Sequence, residues 1–211
     1  MRQALRTAVR RAQRRRLIDR YLAQNRVRKL QLGTAENVQP GWLNTDLHGY
    51  GRTDVVYLDA RKPFPLPDAS FDLVYSEHMI EHLTYADGQR CLRESLRVLR
   101  PGGTVRIATP SLERLAALYA DGDVGARYVQ WSVETLDPEV AVPLPGVVIN
   151  NFFRSWGHRF VYDPDTLRHA LETAGFVNVE EVPLGELERH LADTPEFRAL
   201  ETFVLEARRA G

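Results

Sequence analysis

The sequence predicts an α/β protein built on a seven-stranded, mostly parallel sheet with helices on both faces and an antiparallel last strand. Three observations carry this. Short apolar runs alternate with amphipathic helical patterns, the signature of parallel strands joined by crossover helices. Gly33 directly follows the first apolar run, and Pro101-Gly102-Gly103 breaks the clearest helical pattern just before another run. The final two apolar runs are close enough in sequence to be antiparallel neighbours. At 211 residues and 44% hydrophobic, the chain can bury one sizeable core. The expectation is a basic helical arm over 1–28 and one domain over 29–211, with an insertion at about 121–160.

The arm is set apart by charge. Residues 1–30 hold eleven Arg or Lys against one acid, Asp19, while the whole chain holds 28 of each sign, so the arm carries about +10 and the remainder about −10. Such a split suits an arm that folds back on an acidic body, or one that reaches an anionic partner. Leu5, Ala8, Val9, Ala12, Leu17 and Tyr21 fall near helical spacing, which predicts an amphipathic helix with these residues inward.

Strands are predicted at Lys29 to Leu32, Leu43 to Asp46, Val55 to Leu58, Phe71 to Tyr75 and Thr104 to Ala108. Between the fourth and fifth, Ala86 to Leu99 reads as a helix with Cys91, Leu92, Leu96 and Leu99 on one face. Ser111 can cap a helix from Leu112 to Tyr119. Residues 121–160 interrupt the rhythm with glycines, prolines and the aromatic residues Tyr128, Trp131, Phe152, Phe153, Trp156 and Phe160. Asp163 and Pro164 then open a helix over Asp165 to Ala174 that Gly175 stops, and strands follow at Val177 to Pro183 and Thr202 to Ala207.

The run Leu58 to Val74, LDARKPFPLPDASFDLV, places one acid just after an apolar strand and another inside the next. It resembles a segment of class I S-adenosylmethionine-dependent methyltransferases, and LRVLRPGG, from Leu96 to Gly103, resembles the phrase before their fifth strand. LQLGTAENVQPGWLNTD, from Leu30 to Asp46, is similar to a compact, type 11-like subgroup with a short first crossover, although Thr34 and Ala35 stand where the family carries further glycines. The resemblance implies a Rossmann-like fold and S-adenosyl-L-methionine as cofactor. It also implies cofactor contacts at Gly33 in the first turn, Asp46 on the ribose hydroxyls, Asp59 on the adenine amino group, Ala60 through its backbone, and Ser76 at the end of the fourth strand.

A cis-diol offers two donors and an ionised carboxylate offers two acceptor oxygens, which suits Asp46 to that role. Ligands of open parallel sheets bind beyond the carboxyl ends of the strands, so the residues after Ser76 are expected to face the methyl group. They read Glu77-His78-Met79-Ile80-Glu81-His82, in which His78 and His82 would share a helical face. An imidazole titrates near neutrality and can take a proton from an oxygen nucleophile, so His78, His82 and, in the insertion, His158 are the candidate bases. Two histidines at this spacing can chelate zinc, but no third ligand stands at a recognisable spacing and no metal is expected.

The expected acceptor is a small molecule or saccharide, with methylation at oxygen. Arg154, His158 and Arg159 among the insertion aromatics could clamp it. Two rivals remain open here: an RNA methyltransferase using the basic arm, and a non-catalytic S-adenosylmethionine-binding module. A dinucleotide dehydrogenase is disfavoured because the first turn lacks GxGxxG. Cys91 is the single cysteine, which suggests a reducing compartment, and there is no apolar run near the roughly 20 residues of a membrane span, so a cytoplasmic protein is expected.

Overall fold

The structure, a computed structural model, describes residues 2–120, 122–136, 139, 142–185, 187 and 195–211. Helix α1 (Arg2–Gln24) leads into β1 (Lys29–Leu32), β2 (Leu43–Asp46), β3 (Val56–Tyr57) and β4 (Phe71–Glu77). Helix α2 (Tyr85–Val98) then runs into β5 (Leu99–Pro110). Beyond it come α3 (Leu112–Ala117), α4 (Gly122–Leu136), α5 (Pro145–Arg154), α6 (Pro164–Ala174), β6 (Phe176–Val182), α7 (Pro195–Glu201) and β7 (Thr202–Arg209). No helix among the described residues is long and apolar enough to cross a membrane.

The sheet order is β3-β2-β1-β4-β5-β7-β6, with β7 antiparallel to both of its neighbours and every other pairing parallel. This is the predicted seven-stranded Rossmann-like sheet with its antiparallel last strand. The order reverses at β1, which pairs β2 on one side and β4 on the other, so a crevice opens beyond the carboxyl ends of these strands. Leu30, Leu32, Phe71, Val74, Val105, Ile107, Phe203 and Leu205 form the buried centre of the sheet.

Local chemistry sets the flanking helices. Thr84 caps α2 by accepting from the Asp87 N–H, and the helix buries Cys91, Leu92 and Val98. Asp163 caps α6 by accepting from Thr166 N–H, and Gly175, at φ +105°, closes it in the left-handed conformation.

Two expectations need correction. Pro101-Gly102-Gly103 is not a turn between helix and strand: α2 passes into β5 at Leu99, and these residues sit in an irregular start of β5, where pairing jumps from Phe71–Leu99 to Leu73–Thr104. Helix α1 does not turn Ala8, Val9 and Ala12 inward; these are exposed, while Arg10, Arg14, Leu17, Ile18, Tyr21 and Leu22 form the covered stripe. A guanidinium that finds carbonyl partners can face the body, which hydrophobic spacing alone does not anticipate. The interrupted region carries two helices of its own among the described residues. Its described part holds α4 and α5, whose Tyr128, Val129, Val133, Val148 and Phe152 form a second buried cluster with Leu115 and Leu118. Residues 121, 137, 138, 140 and 141 of that region lie outside the described residues.

Candidate active site

A cleft of about 380 Å³ lies where the sheet order reverses, lined among others by Gly33, Ala35, Asp46, Asp59, Ala60, Arg61, His78, Met79, His82 and Trp156. Gly33 N–H and Thr34 N–H both donate to the Thr45 carbonyl, which turns the chain tightly after β1. Gly33 has φ +69°, and a side chain there would meet Met79 Cγ at 2.3 Å. The next turn residue but one, Ala35, also has positive φ, at +45°, a conformation that glycine holds more easily. The turn therefore holds positive φ at both Gly33 and Ala35.

Asp46 ends β2 at the lip of the cleft. Its Oδ2 accepts from Ala35 N–H at 3.0 Å and its Oδ1 from His48 N–H at 2.7 Å. Each oxygen keeps a second lone pair, which is what a ribose diol requires. Behind this strand end, Arg10 of α1 donates to the carbonyls of Leu47, Asp46 and Val55 at 2.8, 3.1 and 3.2 Å. The arm thus supplies donors to the wall of the cleft.

Asp59 follows β3 and is 8% exposed. Arg61 binds it through a bidentate fork, and this guanidinium, opposed by desolvation, holds the carboxyl below its ordinary value. Ala60 lines the cleft beside it. Ser76 sits deeper in β4, 3% exposed, and is not among the cleft-lining residues.

The segment after β4 is not the single helical face expected for His78 and His82. His78 takes a left-handed backbone at φ +42°, and only a short 3₁₀ turn, Ile80–His82, follows. The two histidines therefore diverge. His78 Nε2 meets Thr202 Oγ1 at 3.0 Å and its Nδ1 lies 3.6 Å from Glu81 Oε1. His82 instead meets His158, their ring centroids 4.9 Å apart. His158 Nδ1–H donates to the Phe152 carbonyl at 2.7 Å, which leaves its Nε2 as an acceptor. Burial lowers the pKa of both imidazoles.

Glu81 lies beneath this pair with no exposed surface. Thr109 Oγ1 donates to its Oε2 at 3.0 Å, while its Oε1 is buried without a hydrogen-bond partner. Burial pushes its pKa up to about 8. The insertion contributes Trp156, 43% exposed and lining the cleft, whereas Tyr128 and Phe152 are core residues. Arg154 and Arg159 are exposed.

Sequence reasoning passed over Arg10, Arg61, Met79 and the depth of Glu81. Arg61, two residues beyond Asp59, was open to notice as a carboxylate partner. Arg10 had no local signal, because its acceptors belong to another segment.

Residues 17–107 match the family model described as a methyltransferase domain. That match spans 91 of the chain's 211 residues. The matched residues include both Leu58–Val74 and Leu96–Gly103, on which the class I resemblance rests. Proteins named as probable S-adenosylmethionine-dependent methyltransferases from Mycolicibacterium smegmatis and Mycobacterium tuberculosis are 42% identical over 62 residues, 29% of this chain. The aligned stretch spans 23% and 22% of those relatives' own lengths. An S-adenosylmethionine-dependent methyltransferase structure from Thermotoga maritima matches at 16% identity and TM-score 0.52, covering 90% of this chain and 87% of that one. The CurJ carbon methyltransferase matches at 13% identity and TM-score 0.53, covering 88% of this chain and 49% of that one. At these identities the two structures show the fold alone, which this chain shares over 88–90% of its length.

Proposed function

We propose that the chain is an S-adenosylmethionine-dependent methyltransferase that methylates a hydroxyl oxygen of a small-molecule or saccharide acceptor. The observation that carries the oxygen assignment is the His82–His158 pair beside the cleft, with one imidazole oriented by the Phe152 carbonyl so that its other nitrogen can accept a proton.

The cleft fits the cofactor. Asp46 retains acceptor capacity at the lip, Gly33 leaves the turn without a side chain, and Asp59 presents an ionised carboxylate on the neighbouring strand end. S-adenosylmethionine supplies an electrophilic methyl group, whose carbon–sulfur bond breaks as the acceptor oxygen–carbon bond forms. The protein's part is alignment and proton removal. Trp156 offers a ring face at the mouth of the cleft against which an acceptor can pack. One of the two imidazoles, His82 or His158, both kept neutral by burial, takes the single hydroxyl proton.

The test is transfer of labelled methyl from S-adenosylmethionine to a panel of saccharides, hydroxylated metabolites and RNA. Label on a saccharide or metabolite oxygen supports the proposal. Label confined to RNA, or to carbon or nitrogen, contradicts the acceptor assignment.

A further inference from the structure

We propose that Glu81, His82 and His158 bind a divalent transition-metal cation that holds the acceptor oxygen. This deepens the methyltransferase reading above and rests on it. The sequence places His158 far from the Glu-His pair, but the fold brings the three together: one ligand atom from each lies within 4.8 Å of the others. Two imidazoles and one carboxylate are a donor set suited to zinc-like cations, and three protein ligands leave a position for a fourth.

Two further observations point to a cation rather than to a packed cluster. Glu81 has no exposed surface, yet its Oε1 has no hydrogen-bond partner, and the His78 Nδ1 beside it lies at 3.6 Å, beyond hydrogen-bond reach. A buried carboxyl oxygen without a partner is costly, and a cation shared by Glu81, His82 and His158 would give the carboxylate a partner. The supporting contacts are also in place. The Phe152 carbonyl orients His158 through Nδ1, and Thr109 holds the other oxygen of Glu81. These are the outer partners that fix ligating imidazoles and carboxylates.

Bonds of 2.0–2.2 Å in a tetrahedral shell bring ligand atoms to roughly 3.3–3.5 Å from one another. The 4.8 Å limit therefore requires modest side-chain rotation on binding. The site adjoins the cofactor cleft through His82, which lines it. A cation there would act as a Lewis acid on an acceptor hydroxyl, lowering its pKa so that its proton passes to water; with the cation bound, this takes the place of proton removal by a free His82 or His158 imidazole.

The experiment is a Co²⁺ titration of the metal-depleted, tag-free full chain, followed by visible absorption. S-adenosylhomocysteine binding is measured by calorimetry on the same samples. The expected result is one Co²⁺ per chain, displaced by Zn²⁺. Affinity should fall at least about tenfold in Glu81→Gln, His82→Ala and His158→Ala, and stay unchanged in His169→Ala, a surface control. Glu81→Gln preserves side-chain shape, so it remains informative where an alanine variant fails to fold. The cation is excluded if Co²⁺ does not bind, or binds equally to folded Glu81→Gln, while S-adenosylhomocysteine still binds the wild type. Absence of S-adenosylhomocysteine binding by the folded wild type overturns the parent reading instead.

Discussion

Arg61 grips both oxygens of the Asp59 carboxylate, Nε donating to Oδ1 at 2.8 Å and Nη2 to Oδ2 at 3.0 Å. The carboxylate is nearly buried and the guanidinium half exposed, so the pair sits at the wall of the cleft with its charged edge toward solvent. Asp59 Oδ1 also accepts from the Arg61 backbone N–H at 3.1 Å, so Oδ2 is the oxygen that keeps a lone pair, and an adenine amino group can share it without breaking the fork.

Asp59→Ala is expected to weaken S-adenosylhomocysteine binding by about tenfold, the worth of one hydrogen bond to a charged acceptor, while Asp59→Asn keeps part of the affinity. Arg61→Ala has a pH signature. Because Arg61 lowers the folded-state pKa of Asp59, its contribution is present above the ordinary carboxylate pKa and is lost as pH falls through the folded value. The stability gap between wild type and Arg61→Ala should therefore narrow on acidification, which thermal melts across a pH series would show. A gap that widens toward low pH is incompatible with this pairing.

Why was this much legible in the sequence? The strands and their mostly parallel pairing were legible in apolar runs such as Phe71–Tyr75 and in capped helices such as the one Asp163 opens, where local propensity and tertiary packing agree. Gly33 and Asp46 were readable because a tight turn and a strand end impose local chemistry. The meeting of His82, His158 and Glu81 was not, since it depends on how the chain after α5 returns to the sheet: Arg159 and Phe160 N–H both donate to the Glu81 carbonyl. Arg10 escaped for the same reason, its three acceptors lying along the ends of β2 and β3.

Gly33→Ala should be strongly unfavourable. The left-handed backbone costs about 1–2 kcal/mol for a residue with a Cβ, and overlap with Met79 at 2.3 Å adds to it. A fall in Tm of about 4–8 °C is expected for a chain of this size, accompanied by weaker cofactor binding. Wild-type stability and affinity in this variant would mean that the turn does not shape the cleft.

Arg10→Ala should loosen the same wall from behind. It removes the donors to Leu47, Asp46 and Val55, and a loss of about 2 kcal/mol is expected, with a weaker grip on S-adenosylhomocysteine. Arg11→Ala serves as the comparison, since Arg11 only donates to the Tyr57 hydroxyl and lies over its ring. Equal effects from the two variants would remove Arg10 from its special role.

Cys91 provides a probe of global opening. It is 2% exposed in the core, and burial pushes its thiol up to about 12. Thiol reagents at neutral pH should leave the native protein unmodified and react fully in denaturant. Rapid stoichiometric labelling of native protein would show that α2 does not pack on the sheet as described.

The most direct measurement of the central claim is calorimetric titration of S-adenosylhomocysteine into the folded chain and into Asp46→Ala. One site is predicted for the wild type. In Asp46→Ala, which loses the acceptors for the ribose hydroxyls and for Ala35 and His48 N–H, affinity should fall by about tenfold to a hundredfold. No binding by the wild type, or equal binding by the variant, would contradict the assignment of this cleft.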